Sequence, residues 1–412
     1  MKKLMTSDEK MQTFAQEYQT PFYIYDEKGI RERVRLLLQA FSWAPDFKEY
    51  FAVKACPNPQ ILQILKEEGA GMDCSSLAEL VISERIGVVG EDIMFTSNET
   101  ELEEYRKAIE LGAVLNLDDI SHIDYIQKGI GLPEMVSFRY NPGEARSGNA
   151  LIGNPKEAKY GMTKEQLFEG YEKLKKYGVK RFGLHTMIAS NELEIDYFLE
   201  TAKMIFSLMK EIKEKTGCVI ELVDLGGGIG IPYHPNQKEV DLLELGKGIQ
   251  NLYQEMVLDE GMELKRLALE CGRVITGPFG HLVTHVIHYT NTYKNYIGVD
   301  ACMSNLMRPG IYGAYHHITV VGKQHQPEDH LYDIVGSLCE NNDKFAIDRS
   351  LPEIEVGDLL VIHDAGAHGY AMGFQYNGKL RCPEYLLEEK TGNLRLIRRG
   401  ETLDDYFATM IW

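Results

Sequence analysis

The stretch EYFAVKACPNPQILQILKEEGAGMDCSS, Glu49 to Ser76, reads as a strand, a helix and a second strand. EYFAVKA is an apolar, β-rich run that closes on one lysine, Lys54, with Pro57 and Pro59 breaking it just beyond. NPQILQILKEEG places apolar residues at three- and four-residue spacing, the pattern of an amphipathic helix, and GMDCSS returns to a short buried run. Two strands flanking one helix imply a parallel pair with a crossover connection. A lysine at the end of a buried strand costs desolvation energy unless something uses its amine.

The same alternation continues to Arg273. DIMFTSN, AVLNLDD, MVSFRYNP, RFGLHTM, IELVDLGGG and RLALECGR read as further strands, and SSLAELVISERIG and EQLFEGYEKLKKYG as helices between them. Eight parallel strands are the number that closes a (β/α)8 barrel, with a doubly wound open sheet as the competing architecture. After Arg273 the texture changes. HLVTHVIHYTNTYKNYIGVDA, HHITVVGK, LYDIVGSLC and GDLLVIHDAG read as strands and turns with few helices. The expected organisation is a barrel over residues 30–280 and a mainly antiparallel β domain over 281–412. Residues 1–29 would join the β domain through the strand TPFYIYD.

Composition narrows the class. With 412 residues, 44% hydrophobic and 26% charged, the chain has the make-up of a soluble globular protein. Its 62 acidic and 44 basic residues leave a net charge of −18, which argues against nucleic acid or an anionic membrane as the main partner. MKKLMTSDEKMQ lacks the apolar core of a secretory signal, and no run is long enough to span a membrane. The seven cysteines are scattered and never form a CxxC, as expected of reduced cytoplasmic thiols without a disulfide framework or a metal site.

Active sites of barrels of this kind lie at the C-terminal ends of the strands. Lys54 ends the first strand, Asp73 the second, His185 to Ser190 follow the sixth, GGGIG follows the seventh and ECGR closes the eighth. Each has an ordinary reading on its own. Lys54 could be a snorkelling or ion-paired lysine, the glycine run a turn, Glu270 a partner for Arg273, and Cys339 a small buried hydrophobe. In combination, an amine, glycine backbone open to an anion and a buried carboxylate suggest pyridoxal phosphate. That cofactor needs a partner for its aldehyde, donors for its phosphate and an acid near its ring nitrogen.

YFAVKAC, MDCSS, DLGGGIG, ECGR, LMRPGIYGAYHHI, GSLCENND and DAGAHGYAM follow one another in the order seen in fold-type III pyridoxal-phosphate decarboxylases. The chain resembles that family, and within it the diaminopimelate decarboxylases, from about residue 20 to 405. The resemblance implies an alanine-racemase-like (β/α)8 TIM barrel, a C-terminal β domain and a homodimer with shared active sites. It implies that Lys54 is the Schiff-base lysine and that Asp73 lies near the cofactor. Gly227, Gly228 and Ser190 would hold the phosphate, Glu270 the pyridine nitrogen, and Gly272 and Arg273 would line the cofactor site. Cys339 would come from the partner subunit and protonate the reacting carbon. Arg273, Arg308 and Tyr312 would hold the substrate's distal carboxylate, and Glu340 its distal ammonium. Guanidinium forks match a carboxylate's two oxygens, so this set suits a substrate with amino and carboxylate groups at both ends.

Two motifs depart from the family pattern. HTMIAS puts Met187 where the resemblance expects a cofactor-stacking histidine and Ala189 where it expects glycine; packing by Met187 or a swing of His185 would serve instead. DAGAHGYAM puts His368 at a cofactor-contacting position usually held by tyrosine, with Tyr370 two residues on. The expected activity is decarboxylation of meso-2,6-diaminopimelate to L-lysine, the last step of lysine biosynthesis. The alternatives are a related decarboxylase of a basic amino acid or carboxynorspermidine, or a non-catalytic regulatory homologue.

Overall fold

A computed structural model describes residues 2–146 and 153–412. The chain forms two compact units. One comprises residues 31–231 and 238–275, the other residues 1–30, 232–237 and 276–412.

Strand β1 (Phe22–Asp26) precedes the barrel strands β2 (Lys48–Ala52), β3 (Gly71–Cys74), β4 (Ile93–Thr96), β5 (Val114–Leu117) and β6 (Met135–Tyr140). The barrel continues with β7 (Arg181–Thr186), β8 (Ile220–Asp224) and β9 (Arg266–Leu269). Neighbours pair in parallel from β2 to β9, and β2 pairs β9 through Lys48 with Ala268 and Glu49 with Leu269. That last pairing closes the cylinder and excludes the open doubly wound sheet. Each strand is buried along almost its whole length, which is why it reads as an apolar run and not as an alternating one. At the N-terminal rim Arg181 bonds Glu91 and Glu221, while Arg266 bonds Asp46 and the Tyr50 hydroxyl, so ion pairs gather at the end remote from the catalytic rim of such barrels.

The Lys54 segment departs from its expected form. Strand β2 stops at Ala52, and Val53–Ala55 turn as a 3-10 helix with Lys54 at its centre. Pro57 and Pro59 are not what stops the strand. Pro59 opens the helix Pro59–Glu67, whose N-cap Asn58 accepts from the Gln60 N–H through its side chain.

The second unit is a nine-stranded sheet. It contains β10 (Gly280–Asn291), β11 (Asn295–Val299), β12 (Ile318–Val320), β13 (His330–Val335), β14 (Lys344–Leu351), β15 (Leu359–Ile362), β16 (Glu384–Leu387) and β17 (Leu394–Arg398), together with β1. Most pairings are antiparallel; β1–β16 and β11–β13 are parallel. The N-terminal strand lies between β10 and β16, as TPFYIYD suggests, and its Phe22 and Ile24 share a core with Met11, Phe14, Val283, Leu359 and Val361. Residues 232–237, which the sequence reading leaves inside the barrel stretch, group with this unit.

Candidate active site

The C-terminal ends of the barrel strands bring a set of buried polar groups into one cluster. Glu270, just past β9, is buried and bonds His185 on β7, Oε2 to Nε2 at 2.8 Å. Its other oxygen receives a long contact from the Thr96 hydroxyl at 3.5 Å. His185 is wholly buried and lies on the strand itself, not on the loop after it. That placement overturns the expectation that His185 could swing to a new position, because its ring is committed to Glu270. The partner of Glu270 identified by the structure is therefore His185, from a different strand. His185, Asp224 and Glu270 each place a donor atom within 4.8 Å of the other two.

Electrostatics sorts the buried carboxylates. Burial pushes the Glu270 carboxyl up, but the His185 imidazole, then Lys54 and Arg139, outweigh it and hold it below the usual range. Asp73 is driven well up by burial and then by the charge on Glu270, with Lys54 opposing. Asp224 is raised by burial and by Glu270, against the Gly226 N–H that its Oδ1 accepts at 2.7 Å. Glu49 is raised by burial, although Oε1 accepts the Cys271 N–H at 2.8 Å. Burial thus disfavours charge on Asp73, Asp224 and Glu49, while His185 favours it on Glu270. Among the described residues, Asp73 Oδ1, Asp224 Oδ2 and His185 Nδ1 have no hydrogen-bond partner.

The glycine run is demanded by the backbone. A Cβ on Gly226 would stand 2.1 Å from the Thr186 carbonyl oxygen, one on Gly227 2.0 Å from that of Glu270, and one on Gly228 2.4 Å from that of Ala189. Gly226 and Gly228 also have φ of +74° and +90°. The run therefore lies pressed between the loops after β7 and β9, and Ser190 follows Ala189 half-buried at its edge. The Gly227 N–H donates to the thioether of Met187 at 3.3 Å. Gly272 has a packing reason for its identity, since a Cβ there would stand 2.7 Å from the Ala55 methyl, on the turn that carries Lys54. Lys54 is exposed, and Arg273, buried, opens the short helix Arg273–Thr276.

The remaining predicted residues belong to the β unit. Arg308 and Tyr312 begin and end one short helix; Arg308 is buried with its guanidinium over the Tyr233 ring, and Tyr312 is exposed. The turn bearing Cys339 and Glu340 packs against that helix, because Gly310 leaves room for the Asn342 carbonyl. Asp343 ties the turn down by accepting the Leu338 and Met303 N–H groups at 2.8 and 2.6 Å. Cys339 is exposed, so the reading of it as a small buried hydrophobe fails. His368 adopts φ of +55°, in a loop that begins after Asp364, itself paired with Lys2. Tyr370 is packed between Tyr23 and the Arg381 guanidinium. His185's bond to Glu270, and the roles of Asp224, Glu49 and Arg139, were not singled out from sequence; the only signal was polar side chains within runs that otherwise read as buried strands.

These residues fit pyridoxal phosphate. The chain offers an exposed amine, a glycine run whose Gly227 N–H is met by the weakly accepting Met187 sulfur, and an ionised buried carboxylate with one oxygen lightly engaged. A parallel barrel with that set on its C-terminal rim belongs to the class of pyridoxal-phosphate barrel enzymes. Residues 27–277 match the pyridoxal binding domain of pyridoxal-dependent decarboxylases, and the chain belongs to that family. It is 41% identical to Protein TabA of Pseudomonas amygdali pv. tabaci over 96% of this chain and 92% of that protein. It is 34% identical to diaminopimelate decarboxylase of Methanothermobacter thermautotrophicus over 95% and 91% of the two chains. A crystal structure of diaminopimelate decarboxylase from M. jannaschii in co-complex with L-lysine superposes with a TM-score of 0.90 at 31% identity, covering 98% of this chain and 94% of that one. Among the described residues no helix is long and apolar enough to cross a membrane.

Proposed function

We propose that the protein is a pyridoxal-phosphate-dependent carboxy-lyase that converts meso-2,6-diaminopimelate to L-lysine and CO2. The observation that carries the chemistry is Glu270, a buried carboxylate bonded by His185 at 2.8 Å and held below the usual range while burial raises the acids beside it. The bound cofactor would supply an electron sink for the bond that breaks when CO2 leaves. Lys54 would hold its aldehyde, Glu270 would keep a proton on its ring nitrogen, and Gly227, Gly228 and Ser190 would receive its phosphate. Asp73, whose carboxyl burial drives up, would lie near the cofactor as a hydrogen-bonding group.

For the substrate we assign the distal carboxylate to Arg273, Arg308 and Tyr312 and the distal ammonium to Glu340. In a homodimer, the partner subunit's Cys339 would return a proton to the reacting carbon. The named decarboxylases among the relatives support the same substrate. Met187 and His368 favour a second reading, a related decarboxylase with a shifted substrate range.

The test is CO2 release from meso-diaminopimelate, ornithine and L-lysine by protein reconstituted with pyridoxal phosphate. Release from diaminopimelate alone is expected. Turnover of ornithine in its place would overturn the substrate assignment, and failure to retain the cofactor after borohydride reduction would overturn the enzyme assignment.

A further inference from the structure

The Gly227 N–H that the phosphate assignment requires is engaged by the Met187 sulfur, 3.3 Å away. The backbones on both sides of this contact have no room to move apart independently. Besides the close approaches of Gly226 and Gly228 to Thr186 and Ala189, the Glu192 N–H donates to the Gly228 carbonyl at 2.9 Å and the Gly230 N–H to the Glu192 carbonyl at 2.8 Å. The Ile231 N–H donates to Asn191 Oδ1 at 2.9 Å, and the Thr186 hydroxyl donates to the Tyr140 carbonyl at 3.0 Å. The loops after β7 and β8 are thereby zipped together on either side of the sulfur. What remains free to turn is the Met187 side chain, an unbranched and adaptable one.

The two possible acceptors differ greatly in strength. A thioether is a weak acceptor, whereas a phosphate oxygen makes a charge-assisted bond. We propose that Met187 is an exchangeable cap on the phosphate site: its sulfur satisfies the Gly227 N–H in the cofactor-free protein and swings aside when the phosphate of pyridoxal phosphate takes that donor. This rests on the assignment of the glycine run to the phosphate. A cap of this kind protects an otherwise orphaned N–H in the apoprotein while setting a small competition that the cofactor must win. Its strength as an acceptor therefore tunes cofactor affinity.

The experiment measures the dissociation constant of pyridoxal phosphate from the apoprotein by fluorescence titration, with inorganic phosphate as a competitor that reports on the glycine run without the ring. Wild type is compared with Met187→Leu, which keeps the bulk and removes the acceptor, and with Met187→Gln, which installs a stronger one. Met187→Leu is expected to bind pyridoxal phosphate and inorganic phosphate about two- to fivefold more tightly, the size of one weak hydrogen bond. Its apoprotein should melt at a lower temperature while its cofactor-bound form melts where wild type does. Met187→Gln is expected to bind both more weakly. Shifts of the same sign in the two variants, or no shift in either, would overturn the cap. Wild-type protein in which inorganic phosphate does not compete with pyridoxal phosphate would instead overturn the phosphate assignment.

Discussion

Glu270 is a carboxylate that burial alone would neutralise, and its charge survives because three cations or potential cations face it. His185 makes the direct bond, and Lys54 and Arg139 act at longer range. Removing one partner of a buried pair leaves the other uncompensated, a loss of about 3–5 kcal/mol. His185→Ala should therefore lower the stability of the cofactor-free protein by about that much in urea unfolding. His185→Gln, which restores a donor, should recover part of it; a loss under about 1 kcal/mol, the net worth of an ordinary neutral hydrogen bond, would show that the pair is not what keeps Glu270 ionised. Glu270→Gln keeps the shape and removes the charge. It should retain pyridoxal phosphate yet release CO2 roughly a hundredfold more slowly, the cost of deleting one preorganised electrostatic group. At this scale the sequence exposed Lys54, the glycine run and Glu270, because each breaks a local pattern. It hid the His185–Glu270 bond, whose partners lie 85 residues apart and meet only once the barrel closes.

The turn Val53–Ala55 shows what an element contributes that a motif does not. Had β2 run on to Lys54, the strand's alternation would decide where the amine points. Ending the strand at Ala52 and winding one 3-10 turn hands that decision to the packing of Ala52 and Ala55 on Gly272. The apolar run and the two prolines made a longer strand the natural reading, since nothing local in AVKAC marks a 3-10 turn. The eight barrel strands were legible because each is a short run buried on both faces, and the N-terminal strand of the β unit because TPFYIYD is itself a short β-rich run. The closing β2–β9 pair carries no local signature, since it joins the first and last barrel strands. A methyl on Gly272 would press the Lys54 turn away from the rim. Gly272→Ala is expected to cost about 1–3 kcal/mol, as overpacking does, and to slow covalent capture of pyridoxal phosphate measured by borohydride fixation. Capture at the wild-type rate would mean that this packing does not position Lys54.

Over the whole molecule the net charge of −18 favours solubility at neutral pH, but acid sensitivity is set by local burial in the β unit. His281, His316 and His363 are buried there with His317 beside them, and the His281 and His363 rings lie 4.5 Å apart. Burial pulls His281 down from 6.5 to about 4, and pulls His317 down to about 4 with Arg349 and Lys2 adding to the effect. Burial and the neighbouring histidines push His363 well down. A histidine whose folded pKa is depressed costs nothing above 6.5, where neither state is protonated. Between 6.5 and 4 the unfolded chain takes a proton that the folded chain refuses, so stability falls as pH falls. For His281 the loss reaches about 3 kcal/mol at the acid end of that window. Asp364 opposes it: burial, resisted by Lys2, raises its carboxyl to about 6, so the folded state gains stability as pH falls from there towards 3.8. Asp73, Asp224 and Glu49, raised by burial in the barrel, oppose it in the same way. Between pH 7.5 and 5 the unfolding free energy of His281→Gln should therefore gain on that of wild type, whatever its stability at pH 7.5. The difference between the two slopes reports His281 and its effect on His363, because Asp364, His317 and the buried acids are common to both chains; parallel slopes would mean that His281 takes up a proton in the folded protein as readily as in the unfolded one.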